Sequence, residues 1–288
     1  MAKGNDGNYL QHCVEVEAAI RLRQTYPDGR LHIALTHGMA PFEQIDDSNA
    51  CKRLLHDALC DAAREPQPNE REIVKAYRAS WNSQEYRPDT ENLFCELKTG
   101  KHYPNSAELL RTVIETSGLS GGITETDKSK HKELAAAWTG PGIDVARSSW
   151  RKQLSLDGAL GCPKPLDAPW LFSMDPMTYT ENGHSDDANL HRSDLELLAP
   201  ALEGYVDSGQ PGIACFFVYR MMGTKRGREL QRQFWAFMDA LAVRLSVQTR
   251  SFWVCHRGGD RNLAGLLFSG TEPSDDFVPP KINTGRGI

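Results

Sequence analysis

The chain has 288 residues, of which 40% are hydrophobic and 25% charged, and its formal net charge at pH 7 is −5. This is the composition of a globular protein with enough residues for a large core. No run of about 18 apolar residues occurs, and the first residues lack an apolar signal segment, so we expect a cytoplasmic protein without a membrane span. The negative charge excludes a global positive field, so any nucleic-acid contact has to come from a local basic patch.

The cysteines and histidines do not predict a metal site. The seven cysteines are odd in number and include no C-x-x-C pair, which argues against disulfides and a zinc ribbon. Cys51, His56 and Cys60 lie close in sequence, but on a helix Cys51 points away from the other two, which favours plain helix packing. A second set of candidate ligands is favoured as a polar loop; its members are His184, Asp186, Asp187 and His191.

Helical and strand-like patterns alternate along the chain. The predicted helices cover residues 5–24, 106–116, 128–138, 149–156, 192–206 and 226–245. The predicted strands cover residues 31–36, 120–125, 144–147, 168–174 and 212–219. Such alternation is typical of a mostly parallel sheet with right-handed crossovers, and it predicts an α/β fold.

One segment interrupts this alternation near the N-terminus. Residues 43–105 are polar, with helices predicted over 51–64 and 70–80 and a proline-rich linker between them. We interpret this segment as a helical insertion that docks either substrate or protein.

The C-terminal part of the chain also departs from the alternation. The β-like runs 250–256 and 263–269 predict an antiparallel hairpin. Residues 271–288 are rich in proline, aspartate and glycine, which predicts a flexible tail. The sequence therefore predicts a single domain over residues 1–270.

Polar residues lie at the ends of three of the predicted strands. They are Thr36, His37 and Gly38 at the end of the first strand, Glu125 at the end of the second, and Asp175 at the end of the fourth. In doubly wound sheets, ligands bind at the carboxyl ends of the strands. A carboxylate such as Glu125 suits the two hydroxyls of a ribose, although a solvated loop acid would give the same pattern.

The dipeptide Asp175-Pro176 is the sharper signal. A proline turn fixes the aspartate and the next carbonyl at the sheet edge. Such a turn can accept hydrogen bonds from an exocyclic amine while an aromatic ring, here Tyr179, stacks on the base. A turn that merely ends a strand is the alternative.

Seven short segments, spread over roughly the whole chain, share their order and spacing with one family. They are Gly4-Asn5 with Leu10-Gln11-His12, Thr36-His37-Gly38, Tyr103-Pro104-Asn105-Ser106, Thr124-Glu125, Ser148-Ser149, Asp175-Pro176 and Gly265-Leu266-Leu267. In this order they resemble the 23S ribosomal RNA adenine-N6 methyltransferase J family.

The resemblance implies a fold, a cofactor and a set of site residues. The fold is a Rossmann-like class I methyltransferase, with a mostly parallel sheet, a C-terminal antiparallel hairpin and a helical insertion. The cofactor is S-adenosylmethionine, and no metal is needed because the sulfonium is already a strong methyl donor. Catalysis would fall to Asp175, Pro176 and Tyr179. The implied cofactor-binding residues are His12, His37, Gly38, Ser106, Glu125, Ser148 and Ser149.

Two functions follow as hypotheses, beside a third possibility in which the cofactor serves the modification of a small molecule or a protein. The first is methyl transfer from S-adenosylmethionine to a nucleic-acid base nitrogen, of the adenine-N6 kind. A candidate RNA or DNA patch supports it, unless it is only a solvated helix start; its members are Arg220, Lys225, Arg226 and Arg228. The second is a catalytically degenerate methyltransferase fold that binds a protein partner. This alternative is motivated by Met39 and Pro41 in the glycine-rich turn and by Met177 in place of a second proline.

Overall fold

The fold was analysed in a computed structural model of the chain. It describes residues 6–24, 26, 28–38, 42–44, 102–114, 118–138, 142–176, 178–181, 188–220, 225–255, 261–273 and 284–286.

Helices and strands alternate through the described residues, as the sequence pattern predicts. The helices are α1 (Asp6–Gln24), α2 (Ser106–Val113), α3 (Lys128–Ala137), α4 (Trp150–Ser155), α5 (Leu195–Val206) and α6 (Lys225–Leu245). The strands are β1 (Leu31–Leu35), β2 (Phe42–Gln44), β3 (His102–Pro104), β4 (Leu119–Thr124), β5 (Ile143–Ala146), β6 (Trp170–Met174), β7 (Tyr179–Thr180), β8 (Leu190–His191), β9 (Gly212–Arg220), β10 (Gln248–Cys255), β11 (Arg261–Ser269) and β12 (Thr284–Arg286).

The main sheet has eight strands among the described residues, in the order β12-β10-β11-β9-β6-β1-β4-β5. The neighbours β9, β6, β1, β4 and β5 are parallel. The hairpin of β10 and β11 is antiparallel and joins the sheet at β9. Strand β4 lies on one side of β1 and strand β6 on the other. The chain runs from β1 through β4 and β5 and then crosses back to β6, so the strand order reverses at the carboxyl end of β1.

Helices cover both faces of this sheet, which explains the near-continuous apolar runs of the parallel strands. All five residues of β6 are buried. In β1 the side chains alternate: Leu31, Ile33 and Leu35 pack in a core with α1, α2 and α3. Ala34 faces the opposite core with α4, α5 and α6. The result is an α/β/α sandwich whose central parallel strands, β1 and β6, are buried on both faces.

The predicted fold class is confirmed as an α/β fold: the chain has a mostly parallel, Rossmann-like sheet that ends in an antiparallel hairpin. The long buried strand predicted over 212–219 is β9, and the predicted helix over 226–245 is α6. The helix predicted over 192–206 begins with a 3-10 turn, Arg192–Asp194, before α5.

The structure adds elements that the sequence pattern did not predict. The strands β7 and β8 form a short parallel pair. Within the predicted tail, β12 pairs with β10 and forms the edge of the sheet, because β10 would otherwise leave backbone groups unpaired. The ends of the predicted insertion, β2 and β3, form an antiparallel pair. Its predicted helices, 51–64 and 70–80, lie outside the described residues.

Candidate active site

A cavity of about 240 Å³ opens at the carboxyl ends of β1, β4 and β6. It therefore lies at the switch point of the sheet, where α/β proteins bind ligands. Its described lining includes two carboxylates, of Glu125 and Asp175, and no lysine or arginine. The lining residues are Thr36, His37, Gly38, Thr124, Glu125, Thr126, Ser148, Ser149, Trp150, Met174, Asp175, Pro176 and Ala188.

The turn after β1 is held tightly against the end of β4. The Gly38 amide donates to the Thr124 carbonyl oxygen over 2.7 Å, and the Asn105 side chain donates to the Gly38 carbonyl over 2.7 Å. A Cβ on Gly38 would lie 2.7 Å from a methyl carbon of Leu134 and 2.8 Å from the Thr124 carbonyl oxygen. Only glycine fits this close approach without moving its neighbours.

Glu125 stands on the β4 side of the cavity. Its amide donates to the Ala146 carbonyl over 3.0 Å, which extends the pairing of β4 with β5. Its carboxylate accepts from the Asp127 amide over 2.7 Å. Asp127 in turn caps α3 by accepting from the amides of Ser129 and Lys130. These contacts fix the half-buried carboxylate at the mouth of the cavity.

The segment between β5 and α4 supplies a third side of the cavity. Ser149 caps α4, since its hydroxyl accepts from the Lys152 amide over 3.3 Å. The buried hydroxyl of Ser148 has no hydrogen-bond partner among the described residues. Trp150 is 5% exposed, and the Arg151 guanidinium lies 4.3 Å from its ring centre. An unsatisfied buried hydroxyl beside a cavity is a group that a ligand can satisfy.

Arg151 also holds in place the segment that contains Ala188, which lines the cavity. Its guanidinium donates to both carboxylate oxygens of Asp194 over 2.8 and 2.7 Å and to the Asn189 carbonyl over 2.6 Å. A two-pronged pair of this kind fixes orientation as well as distance. It joins α4 to the segment that enters α5.

Asp175 and Pro176 form the wall that follows β6. Burial raises the pKa of Asp175 to about 6; the nearby charge of His37 opposes this shift and that of Glu15 adds to it. Asp175 is thus ionised at neutral pH and close to the pH at which it takes up a proton. A carboxylate with this pKa can accept a proton from a reacting group.

Behind the cavity wall lies a buried polar group of residues, which we call the Glu15 cluster. Glu15 accepts from Ser173 over 2.5 Å and from Gln11 over 3.3 Å, and its carboxylate lies 3.4 Å from His37 Nε2. The cluster joins α1, α2, β6 and the turn after β1. Its members are Gln11, His12, Glu15, His37, Ser106 and Ser173.

The structure brings most of the predicted site residues to the cavity. His37, Gly38, Glu125, Ser148, Ser149, Asp175 and Pro176 line it. The predicted meeting of His37, Glu125 and Asp175 at one sheet edge is therefore observed, while their roles stay predictions.

Two predicted cofactor residues lie behind this wall. His12 and Ser106 are buried in the Glu15 cluster and are not among the described lining residues. Burial lowers the pKa of His12 to about 4, so this histidine is neutral at physiological pH. Their position allows them to act on the cavity only through the residues that line it.

Tyr179 is the predicted residue that the structure places elsewhere. Its ring packs against Phe234 and Phe237 of α6, with ring centres 6.1 and 5.5 Å away. Its hydroxyl donates to Glu181 over 3.4 Å. Because the ring packs on the apolar stripe of α6, its position does not support stacking on a substrate base.

The remaining predicted groups are only partly described. In the basic patch, the side chain of Arg228 is exposed on α6, whereas those of Arg220, Lys225 and Arg226 lie outside the description. Residue 177 and the candidate ligands Cys51, His56, Cys60, His184, Asp186 and Asp187 lie outside the described residues. His191 is buried, and its Nδ1 lies 2.6 Å from the Thr180 hydroxyl. Among the described residues, no cluster of three potential metal ligands occurs.

Sequence reasoning missed Glu15, Gln11 and Ser173. Gln11 and Glu15 are four residues apart on α1 and so share a helix face. That face is otherwise buried against the sheet, as Val14 and Ala18 show. The signal available in the sequence was a carboxylate beside a buried apolar stripe, with a side-chain amide one helical turn away.

No family model matches the chain, and no curated protein matches it. The chain is similar to the crystal structure of protein LPL1258 from Legionella pneumophila str. Philadelphia 1, family-model DUF519. That similarity has a TM-score of 0.63 and 14% identity, and covers 95% of this chain and 88% of the other. Identity this low shows a shared fold alone.

Two further solved structures share less with the chain. A proposed rRNA methylase from Clostridium thermocellum has a TM-score of 0.31 and 10% identity, over 55% of this chain and 80% of that one. A proposed methyltransferase from Thermobifida fusca has a TM-score of 0.35 and 10% identity, over 75% and 88%. Scores this low support no argument about function, so membership of the 23S rRNA family stays a prediction. None of the helices described has the length and apolar character to span a bilayer.

Proposed function

We propose that the chain is an S-adenosylmethionine-dependent methyltransferase that acts on a nucleic-acid base nitrogen. One observation carries the proposal: the cavity at the switch point has Glu125 on one side and Asp175-Pro176 on another. The first group suits a ribose and the second suits an amine that loses a proton.

The charges of the cavity favour this cofactor over a phosphate-rich one. Its two carboxylates repel the phosphates of a dinucleotide, and His37 is the one described lining residue that could carry a positive charge to offset them. A sulfonium is positive, and the same two carboxylates attract it. This comparison argues against a dinucleotide cofactor, which other doubly wound enzymes bind at the same place.

Three features of the cavity fit S-adenosylmethionine. The Glu125 carboxylate would accept hydrogen bonds from the ribose hydroxyls. The missing side chain of Gly38 leaves backbone open to close approach. The unsatisfied Ser148 hydroxyl would serve a polar atom of the adenine. When bound, the cofactor supplies an activated methyl group.

The chain's own contribution to the reaction is positioning and proton acceptance. The Pro176 carbonyl and the Asp175 carboxylate would accept the two hydrogens of an amine and so orient its nitrogen. Asp175 then takes the proton that the nitrogen loses when the methyl group is added. Its pKa of about 6 keeps it ionised, yet basic enough for this step, at neutral pH.

Calorimetry with S-adenosylmethionine tests the cofactor assignment. We expect the wild-type chain to bind it and Glu125→Gln to bind about 10-fold to 100-fold more weakly, the cost of a charged hydrogen bond. The matched control is Glu203→Gln, which changes an exposed glutamate on α5. If the wild-type chain gives no heat of binding, the methyltransferase assignment is rejected. The alternative, a catalytically degenerate fold that binds a protein partner, then takes its place.

Radiolabelled methyl transfer to RNA and DNA oligonucleotides tests the reaction. We expect Asp175→Ala to lower turnover by about 10²-fold to 10⁴-fold, the range for a lost general base, with cofactor affinity nearly unchanged. Asp239→Ala, which changes an exposed aspartate on α6, is the control. Unchanged turnover in Asp175→Ala would remove Asp175 from the mechanism.

A further inference from the structure

Glu15 is a carboxylate buried behind the cavity wall, and its side chain is only 1% exposed. One of its oxygens accepts from Ser173 and Gln11, whereas the other has no hydrogen-bond partner among the described residues. Burying an ionised carboxylate costs several kcal/mol unless a positive charge accompanies it. An ionised Glu15 therefore needs a cation close by.

Two histidines of the Glu15 cluster are the candidates for that cation. Burial lowers the pKa of His12 to about 4, so His12 stays neutral. His37 has its Nε2 at 3.4 Å from the Glu15 carboxylate, and it also lines the cavity. His37 Nε2 also lies 2.8 Å from the Gln11 amide nitrogen, so a charged His37 requires this amide turned with its oxygen toward the ring. In that arrangement the positive charge that compensates Glu15 is on His37.

We infer that Glu15 is a positioning residue of the proposed methyltransferase, which holds His37 as an imidazolium at the wall of the cofactor cavity. This inference rests on the proposed function. S-adenosylmethionine carries a carboxylate as well as a sulfonium, and the carboxylate needs a positive partner. Within the described lining, His37 is the side chain that can supply one.

The groups around His37 come from three elements. Glu15 and His12 belong to α1, Glu125 follows β4, and Asp175 follows β6. Burial alone would lower the pKa of His37, but the hydrogen bond and charge of Glu15, together with the charges of Asp175 and Glu125, raise it. Burial would likewise raise the pKa of Glu15, but its contacts with His37 lower it. Each member of the pair thus keeps the other charged.

The arrangement predicts how activity depends on pH. The acid limb reflects Asp175, which loses its basic form below about 6. The alkaline limb reflects His37, which loses its charge as pH rises through its raised pKa. Glu15→Gln removes the partner of His37, so the alkaline limb should move to lower pH. The acid limb should stay, because the opposing effects of Glu15 and His37 on Asp175 disappear together.

The test compares the pH profiles of methyl transfer in the wild-type chain, Glu15→Gln and Glu108→Gln. Glu108 is equally buried but pairs with Arg111, so its variant controls for the loss of a buried carboxylate. We expect the alkaline limb of Glu15→Gln to move by about one pH unit or more, and its KM for S-adenosylmethionine to rise about tenfold at a pH between the two limbs. We expect kcat to change less than KM. An alkaline limb that Glu15→Gln and Glu108→Gln share with the wild type would overturn the inference.

A second measurement needs no catalysis. The imidazole of His37 is titrated by NMR in the full wild-type chain without cofactor, with assignment from His37→Gln. The inference expects a midpoint above the ordinary 6.5 of histidine, and a midpoint at or below it rejects the pair. If the wild-type chain transfers no methyl group, the proposed function fails, and this titration alone decides whether Glu15 holds His37 charged.

Discussion

The cavity wall contains a half-buried carboxylate, that of Asp175, and the Glu15 cluster behind it contains a fully buried one, yet the two acids respond in opposite ways. Burial raises the pKa of Asp175 to about 6. Burial acts on Glu15 in the same direction, but its hydrogen bond to His37 and the charges of His37 and His12 lower its pKa. The wall acid faces an open cavity, whereas the cluster acid faces an imidazole at 3.4 Å.

The difference teaches that the partner, rather than the depth of burial, sets the protonation state of these acids. A carboxylate without a close cation becomes a weaker acid, and one with a cation stays ionised. The wall can therefore exchange a proton with a substrate, while the cluster holds a fixed charge. Substitutions that neutralise each acid should have opposite effects on stability.

The largest stability effect is expected for Glu15→Gln. Removing one partner of a buried ion pair costs about 3 kcal/mol or more of the free energy of unfolding. The lowered pKa of Glu15 stabilises the fold above its ordinary 4.5, and the raised pKa of His37 stabilises it below the ordinary 6.5. Urea denaturation should therefore show the greatest loss between these two pH values.

An equal loss in the free energy of unfolding of Glu15→Gln at every pH would contradict this prediction. That result would mean that the substitution removes packing rather than a charge pair. Glu203→Gln, an exposed change on α5, should alter the free energy of unfolding by no more than about 0.5 kcal/mol.

Asp175→Asn should have the opposite sign. The pKa of Asp175 rises from 3.8 to about 6, so its ionisation destabilises the fold by about 3 kcal/mol above that pH. Asparagine avoids this cost, and the variant should unfold at a higher temperature at pH 7. The gain should be smaller near pH 5, where the wild-type acid is already mostly protonated in the folded state.

Thermal unfolding at the two pH values, beside the exposed control Asp239→Asn, measures this gain. A variant that is less stable than the wild type at pH 7 would show that the Asp175 carboxylate is satisfied by its surroundings. Higher stability together with lost turnover would instead show that the Asp175 carboxylate lowers the stability of the fold but is needed for the reaction.

Most of the main sheet could be predicted from the sequence because buried parallel strands are continuous apolar runs. The run over 212–219 matches β9 within one residue. The two-residue strands β7 and β8 carry no periodic signal, and their pairing depends on the tertiary fold. The edge strand β12 pairs with β10, but it lies in a segment rich in proline, aspartate and glycine, a composition that indicated a tail.

The site was predictable where chemistry follows a strand end and hidden where it lies on a helix. Glu125 and Asp175 come directly after apolar strands, and the sheet brings their carboxyl ends together. Glu15 has no such marker, because a single acid on a long helix usually faces solvent. The packing of Tyr179 could not be predicted because its neighbours Phe234 and Phe237 are more than fifty residues away in sequence.

The smallest expected effects separate two adjacent serines at the cavity. Ser149 caps α4, so Ser149→Ala should cost about 1 kcal/mol of the free energy of unfolding. The buried hydroxyl of Ser148 has no partner among the described residues, so Ser148→Ala should leave the unfolding midpoint unchanged or slightly raise it. If the cofactor uses this hydroxyl, calorimetry should show the affinity of Ser148→Ala for S-adenosylmethionine falling by about fivefold, one ordinary hydrogen bond. Equal stability losses in the two variants would show that Ser148 already has a structural partner, and the wall would then offer the cofactor one group fewer.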